Sequence, residues 1–360
     1  MKRITAVILA LLLLMGGGAL ADMQSAGEEA RTQADKLDKN ERVVNVFTWT
    51  YYIPDEVVAA FEDASGIRVN YTPFSDNESM LSRVQSTPGQ FDLIACSDYI
   101  IDIMRRSDLL APLDRDALTN WGNIDPGCQS QYYDPDNKYT VPYTVTVPLI
   151  VYDKDAVEAP ITGYADLWRD EFKNNLVLID DMRNVIGMAE KKLGMSLNET
   201  DPVKLEQVSA ELTALKDNVV VFNADTPHNA LIGGDAVAGL MFGSQIVAAQ
   251  EEISTLEVVY PEEGLAFGID CLVVPRDAPH MDATQIFINY LLDGEVSAWA
   301  SELINYGSCN TAAAAYMSEE FKADKSVNVP SELLASAEMI RPLDGDAERL
   351  YDEIWTKFKN

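Results

Sequence analysis

The side chains best suited to binding chemistry are aromatic rings and carboxylates that follow predicted β-strands. The set is Trp49, Tyr52, Ser97, Tyr99, Asp181, Phe242, Phe267, Asp270 and Tyr306. Aromatic rings pack against methylene groups and attract cations, and carboxylates form charge-assisted hydrogen bonds with ammonium groups. Any one of these aromatic residues could equally well be a core residue, so it is the set that predicts a site for a flexible alkyl ammonium compound.

Motifs for covalent chemistry are missing from the sequence. It contains no GxSxG nucleophile elbow, no P-loop, no GxGxxG after a strand and no HExxH helix. The two histidines, His228 and His280, lie in loop-like sequence beside prolines. We therefore predict that the protein is not an enzyme and uses no metal or cofactor. An extracellular enzyme with a carboxylate pair stays open as an alternative, because acidic residues are abundant.

Alternating strand and helix patterns position these side chains. The first pattern predicts strand, helix, strand, helix and strand over residues 43–47, 54–64, 68–72, 77–87 and 91–95. Later strands are predicted over residues 148–152, 176–179, 219–222, 236–242, 256–260 and 271–275, and helices over 202–215 and 284–292. This alternation favours an α/β fold with mostly parallel sheets, in which ligands bind beyond the carboxyl ends of the strands.

The chain ends predict export and two lobes. Basic Lys2 and Arg3, an apolar run and Ala19-Leu20-Ala21 are typical of a cleaved leader over residues 1–21. Residues 22–42 are polar and predict a charged tether or a frayed helix. The remainder exceeds the roughly 250 to 300 residues that one core usually supports. We predict an N-terminal lobe of residues 43–146 plus 271–325 and a C-terminal lobe of residues 147–270 plus 326–360.

The composition is strongly acidic, with 58 Asp and Glu against 27 Lys and Arg and a formal net charge of −31. This surface disfavours nucleic acid as a partner and keeps an exported protein soluble and monomeric. It also attracts cations. The four cysteines, Cys96, Cys128, Cys271 and Cys309, form no CxxC pair, and their spacing leaves their disulfide state open.

Several segments carry a family resemblance. They are Phe47–Pro54, Ser75–Met80, Phe91–Ile94, Tyr133–Asn137, Val141–Tyr143, Ala165–Trp168 and Asp180-Asp181-x-Arg183. With Ser97 and Tyr99, they make the chain, from about Val43 to Lys359, resemble the spermidine/putrescine-binding proteins of bacterial ABC transporters. The resemblance implies a periplasmic-binding-protein type II fold, in which two α/β lobes joined by a hinge close on a ligand in the cleft between them.

The resemblance also implies roles for individual residues. Trp49, Tyr52, Tyr99 and Tyr306 are similar to the aromatic walls of the family site, Asp181 and Asp270 to its anchors, and Thr50 and Ser97 to its polar contacts. The departures are Asn184 in place of a second carboxylate, and Phe242 and Gly268 in place of tryptophans, with Phe267 beside the second. Arg341 aligns with a glutamine. These changes predict a ligand that differs from spermidine, such as a shorter diamine or a molecule that also carries an acidic group.

The resemblance finally implies a periplasmic protein that delivers a polyamine to the permease subunits of an ABC transporter. Two further alternatives remain open. One is a binder of the same fold for an amino-acid-like or ferric ligand, suggested by Tyr51-Tyr52 and Arg341. The other is a sensory module that presents its bound solute to a receptor.

Overall fold

The computed structural model of the protein describes residues 19–360, apart from the side chains of residues 19–23 and 331. Residues 1–18 of the predicted leader lie outside the described residues. The helices are α1 (Ala19–Ala34), α2 (Asp55–Ser65), α3 (Asn77–Ser86), α4 (Asp98–Arg106), α5 (Met182–Lys192), α6 (Pro202–Leu215), α7 (His228–Ile232), α8 (Gly243–Gln250), α9 (Met281–Leu291), α10 (Gly294–Ile304), α11 (Glu319–Ala323), α12 (Ser331–Leu334) and α13 (Gly345–Lys359). None of these described helices is long and apolar enough to span a bilayer.

The strands are β1 (Val43–Trp49), β2 (Arg68–Phe74), β3 (Leu93–Ser97), β4 (Thr140–Thr146), β5 (Pro148–Asp153), β6 (Leu176–Leu178), β7 (Val219–Phe222), β8 (Ala238–Phe242), β9 (Leu256–Val259), β10 (Ala266–Val273), β11 (Gly307–Ser308) and β12 (Glu338–Met339). Two compact units result. Unit 1 contains the described residues up to Thr144, Asp270–Ile304 and Ser308–Lys322. Unit 2 contains Val145–Ile269, Asn305–Gly307 and Ala323–Asn360. Unit 1 also contains the described residues before Val43, which the predicted lobes leave out.

Unit 1 is built on a mixed sheet. Strands β2, β1 and β3 are parallel neighbours, as the alternating pattern predicts. Strand β10 then pairs with β3 in the antiparallel direction, with Asp270 opposite Ser97 and Cys271 opposite Cys96. The prediction of a mostly parallel sheet is therefore only partly correct. It holds for β1, β2 and β3, but β10 runs antiparallel to β3.

The N-terminal segment, for which a charged tether or a frayed helix is predicted, forms a helix that packs on unit 1. Most of it forms α1, in which Ala26, Ala30 and Ala34 are buried. This helix packs against α2, α9 and α10 of unit 1. The Arg31 side chain donates to the backbone carbonyl of Ala64 at the end of α2, over 2.8 Å. Alanines four residues apart form a narrow apolar stripe, so the segment docks although its composition is polar.

Unit 2 contains a second mixed sheet, in the order β7-β6-β8-β5-β9. Strands β7, β6 and β8 are parallel, while β5 runs antiparallel to both β8 and β9. Helix α6 begins as its sequence predicts, because the Asp201 carboxylate caps its first turn and Pro202 takes the first helical position. Its apolar face packs Leu205, Val208 and Leu212 into the core of this unit.

Candidate functional site

Unit 1 brings together two of the predicted ligand residues, Tyr52 and Asp270. The Tyr52 hydroxyl donates to Asp270 Oδ2 over 2.6 Å and also contacts the hydroxyl of Thr144. Tyr52 and Asp270 are each only 5% exposed. The carboxylate lies within β10 and the phenol follows β1, so rigid strands hold both groups. We call Tyr52, Thr144 and Asp270 the tyrosine–aspartate cluster.

The turn after β1 sets the position of Tyr52. Tyr51 adopts a left-handed conformation with φ of 57° and is 82% exposed, so its side chain points to solvent while Tyr52 turns inward. The Tyr71 hydroxyl fastens this turn by donating to the Trp49 carbonyl over 2.5 Å and accepting from the Tyr52 amide over 3.0 Å. Burial raises the pKa of Tyr71, which keeps its hydroxyl protonated as the donor. Thr50, in the same turn, is exposed.

Two further aromatic residues have buried polar groups: Tyr143, which contacts Tyr52, and Trp49, which ends the strand leading to Tyr52. The Tyr143 ring meets the Tyr52 ring edge to face, with centroids 5.9 Å apart. The Trp49 ring packs against Phe74, with centroids 4.4 Å apart. Both the Trp49 indole N–H and the Tyr143 hydroxyl are buried without a hydrogen-bond partner among the described residues. Buried donors of this kind are normally satisfied, so they are candidates for contact with a bound solute.

Ser97 and Tyr99 lie at the junction of β3 and α4. The Asn77 side chain spans them, because its Nδ2 donates to the Tyr99 hydroxyl over 3.0 Å and its Oδ1 accepts from the Ser97 amide at 3.5 Å. The Tyr99 hydroxyl in turn donates to Glu78 Oε1 over 3.0 Å. Since Ser97 is opposite Asp270 in the sheet, these groups adjoin the tyrosine–aspartate cluster.

Asp98, between those two residues, is buried with 2% exposure and accepts from the Tyr99 amide over 2.6 Å. Its charge acts on the thiol of Cys96 in β3. Burial first, and then the charges of Asp270 and Asp98, raise the pKa of the Cys96 thiol. Unit 1 therefore holds two buried carboxylates, Asp98 and Asp270, close to one region of the sheet, which favours a cation over an anion as ligand.

Unit 2 brings together Asp181 and Asn184 at the start of α5. The Asp181 carboxylate accepts from the Asn184 amide and from its side-chain Nδ2, both over 3.0 Å. Asp181 is thus the N-cap of α5, and Asn184 lies beside its carboxylate because it follows about one helical turn later. Both side chains are half-buried. This geometry leaves Asp181 with carboxylate lone pairs for an additional donor.

The backbone of Arg341 is held at both its amide and its carbonyl. Its amide donates to Asn198 Oδ1 over 2.6 Å, and its carbonyl accepts from the Arg183 guanidinium over 2.8 Å. Asn198 also donates to the carbonyl of Met339 over 2.9 Å. Because Arg183 belongs to the same helix as Asp181 and Asn184, the structure ties the exposed Arg341 to the start of α5.

The other predicted residues of unit 2 are placed separately. Phe242 ends β8 and packs, half-buried, on the core of this unit. Phe267 does so from inside β10, and not from beyond a strand end as predicted, because β10 starts at Ala266, five residues before the predicted strand. The same early start places Asp270 inside β10. Tyr306 is half-buried in the short Asn305–Gly307 stretch, directly before β11.

Some residues that contact the predicted ligand residues were not singled out in the sequence analysis. They are Thr144, Asn77, Glu78 and Tyr143 in unit 1, and Arg183 and Asn198 in unit 2. Asn77, Glu78, Tyr143 and Arg183 lie inside segments that carried the family resemblance, so that signal was present. Asn198 and Thr144 had no such signal, since their contacts reach 143 and 92 positions along the chain. Within residues 24–360, no group of three or more metal-ligating side chains has the geometry for a metal ion.

Two α/β units, each assembled from separate stretches of the chain and each carrying aromatic and acidic residues at strand ends and helix starts, define a two-unit solute-binding protein. The profile of the family described as bacterial extracellular solute-binding protein matches residues 56–329. This chain belongs to that family.

Relatives and solved structures agree with this assignment. The chain is 34% identical over 348 residues to the spermidine/putrescine-binding periplasmic protein of Salmonella typhimurium, covering 96% of this chain and 97% of the relative. It is similar to the structure of the spermidine/putrescine ABC transporter substrate-binding protein PotD of Streptococcus pneumoniae, with a TM-score of 0.78, 30% identity and coverage of 88% and 98%. A putative spermidine/putrescine ABC transporter structure from Listeria monocytogenes gives a TM-score of 0.84 at 28% identity, with coverage of 88% and 99%.

Proposed function

We propose that this protein captures a small polyamine outside the cytoplasm and delivers it to the permease subunits of an ABC transporter. One ammonium group of the amine binds at the tyrosine–aspartate cluster of unit 1. The relatives that bind spermidine and putrescine support this ligand class. The periplasmic location of those relatives supports an extracytoplasmic site of action for this chain.

The observation that carries the proposal is the buried hydrogen bond between Tyr52 and Asp270. A buried carboxylate is stabilised by hydrogen-bond donors and by opposite charge, and the neutral Tyr52 hydroxyl supplies a donor without an opposite charge. An ammonium group supplies both the opposite charge and up to three N–H donors. The Tyr52, Tyr143 and Trp49 rings provide apolar surface for the methylenes next to that ammonium and attract its charge.

The Asp181 side chain is the proposed anchor for a second ammonium group. In unit 2, Phe242, Phe267 and Tyr306 are the proposed aromatic contacts and Asn184 is a proposed polar contact. In unit 1, Thr50, Ser97 and Tyr99 are the proposed polar contacts. Arg341 opposes a cation in its neighbourhood. A short diamine, which needs only two carboxylate anchors, therefore fits the proposed site better than a longer triamine whose third ammonium approaches Arg341.

Calorimetric titration tests the proposal directly. The chain from Asp22 onward is unfolded and refolded to remove carried-over ligand, and then titrated with putrescine, cadaverine, spermidine and spermine. We expect micromolar or tighter binding of at least one amine. The Asp270→Asn substitution should weaken it about 10- to 100-fold, since a charge-assisted hydrogen bond contributes roughly 1.5–3 kcal/mol.

The matched control is Asp180→Asn, which removes the same charge from a carboxylate that pairs with Lys359 over 2.6 Å. It should leave amine affinity within about twofold, because the long-range field of one exposed charge is screened. Unchanged binding in the Asp270→Asn variant would overturn the assigned anchor. Binding of an amino acid or a ferric complex with no binding of any amine would instead favour the alternative ligand class to which Arg341 points.

A further inference from the structure

Four buried cysteines lie close together in unit 1. Cys96, Cys128, Cys271 and Cys309 are all thiols and all less than 9% exposed. Tyr133 lies among them. The Cys271 thiol donates to its hydroxyl over 3.4 Å, and Cys309 contributes to raising the pKa of the same hydroxyl. The proposed ligand site uses none of these sulfur atoms. Their arrangement separates them into two unlike pairs.

The first pair, Cys96 and Cys271, consists of direct neighbours on β3 and β10. The Cys271 thiol donates a hydrogen bond to the Tyr133 hydroxyl. The two strands fix the backbone on both sides through the pairs Asp270 with Ser97 and Leu272 with Ala95. Rotating Cys271 toward Cys96 would break its contact with Tyr133 inside a packed core.

The second pair, Cys128 and Cys309, is held close by the backbone around it. The amide of Asp125 donates to the Cys309 carbonyl over 2.8 Å, and the amide of Cys128 donates to the Asp125 carbonyl over 2.9 Å. An antiparallel bridge joins Ile124 to Asn310 beside them. The two thiols are within hydrogen-bonding contact of each other. Close approach of both backbone and sulfur atoms is what a disulfide requires.

We propose that Cys128 and Cys309 form a disulfide in the exported protein, while Cys96 and Cys271 stay as thiols. This rests on the extracytoplasmic location in the proposed function, because disulfides persist in oxidising compartments. The bond joins the 3-10 turn Pro126–Cys128 to the stretch that enters unit 1 at Ser308. The backbone amide of Cys309 is already fixed to the Tyr143 carbonyl of β4 over 3.1 Å.

The chemistry is thiol–disulfide exchange with a small or protein disulfide as oxidant. One cysteine thiolate attacks the oxidant and releases one thiolate, forming a mixed disulfide. The second cysteine thiolate then displaces the other half of the oxidant, so two cysteine thiols lose two protons and two electrons and the oxidant gains them as two thiols. Burial, followed by the contact with Cys128, raises the pKa of the Cys309 thiol, so the folded protein reacts slowly. The bond therefore forms during folding, before the sulfur atoms are buried.

The full chain with its own leader, expressed in a bacterium that exports it, provides the test. Free thiols are labelled with N-ethylmaleimide in denaturant without reductant, and the intact mass and a non-reducing peptide map are recorded. We expect two labels, on Cys96 and Cys271, and one cross-linked peptide pair that contains Cys128 and Cys309. Cys309→Ser should give three labels, while the matched control Cys96→Ala should keep the cross-link and give one label.

A melting experiment supplies a second readout. Reductant should lower the melting temperature of the wild-type protein by about 5 to 10 °C and leave the Cys128→Ser/Cys309→Ser variant unchanged. Four labels in the exported protein, or a cross-link that involves Cys96 or Cys271, would overturn the assignment. Amine titration of the same preparations distinguishes the two proposals. Amine binding without a disulfide would refute only the disulfide, and a disulfide without amine binding would refute only the proposed function.

Discussion

Glu190 should make the stability of the protein depend on pH near neutrality. It lies on α5, two turns beyond the half-buried Asp181 and Asn184, and its side chain is completely buried. Burial raises the pKa of Glu190 from 4.5 to about 7, although a hydrogen bond from Tyr351 and the charge of Arg183 oppose this rise. Its Oε2 has no hydrogen-bond partner among the described residues. The charged form is therefore poorly compensated.

The sign and size of the effect follow from linkage. The folded pKa of Glu190 lies above the unfolded value, so the protonated side chain stabilises the fold, and this stabilisation is lost as pH rises from below 4.5 through about 7. The difference between those two pKa values corresponds to a free energy of the order of 3 kcal/mol. Glu190→Gln imitates the protonated side chain and can still accept from the Tyr351 hydroxyl. We expect the variant to match the wild type near pH 5 and to be more stable at pH 8 by up to about 3 kcal/mol.

Urea unfolding at half-unit pH steps between pH 5 and pH 8 measures this difference. The matched control is Glu338→Gln, because Glu338 has the opposite behaviour. Its burial would raise its pKa, but hydrogen bonds from Lys191 and Ser196 lower it below its ordinary value. The control should therefore be less stable than the wild type throughout this pH range, because Glu338 loses its stabilising charge only below its ordinary pKa of 4.5. A Glu190→Gln variant that is equally destabilised at every pH would refute the reasoning.

Three further substitutions have clear expected outcomes. A methyl group added by Gly239→Ala would overlap the backbone carbonyl of Val177 on the neighbouring strand, so urea unfolding should show the free energy of unfolding lowered by about 2–4 kcal/mol. The control Gly345→Ala adds a methyl group that meets no atom within 4 Å, so it should change the free energy of unfolding by less than about 1 kcal/mol. Asp201→Ala removes the acceptor for two backbone amides at the start of α6 and should cost about 1 kcal/mol in the same assay, a cost that would be absent if the cap were unimportant. Arg341→Gln should tighten spermidine binding about fivefold in calorimetry, since an exposed charge contributes at most about 1 kcal/mol, and unchanged affinity would mean that Arg341 does not face the ligand.

The periodic strands and helices could be predicted from the sequence because their local signals agree. Gly66 ends α2 in a left-handed conformation with φ of 71°, and Asp201 with Pro202 starts α6, so both termini lie close to the ends of the predicted helices. The N-terminal helix α1 was misjudged because overall polarity outweighed three alanines in one row. The early start of β10 was missed because its first residues lack the uninterrupted apolar run that marks Cys271 to Val274.

The residues of the proposed site could be named from the sequence, but their contacts could not. The hydrogen bond between Tyr52 and Asp270 joins positions 218 residues apart and depends on β10 returning antiparallel to β3. No local pattern specifies that pairing, since it results from how separate stretches of the chain assemble into one sheet. Likewise, the hydrogen bond from the Arg341 amide to the Asn198 side chain joins two irregular segments.

Some residues of the proposed site are buried and others are exposed. We infer that the buried residues determine the class of ligand and that the exposed residues determine which member of that class is preferred. Asp270 is buried within β10 and Tyr52 is buried in the turn after β1, so changing either disturbs packing in unit 1 as well as the proposed binding. Asn184 is half-buried and Arg341 is exposed, so substitutions there cost little stability. In the proposed site, the buried pair therefore sets the preference for a cation, while the partly exposed positions set which cation fits. For this reason, we expect the departures at Asn184 and Arg341 to alter the length of the preferred amine rather than to abolish amine binding.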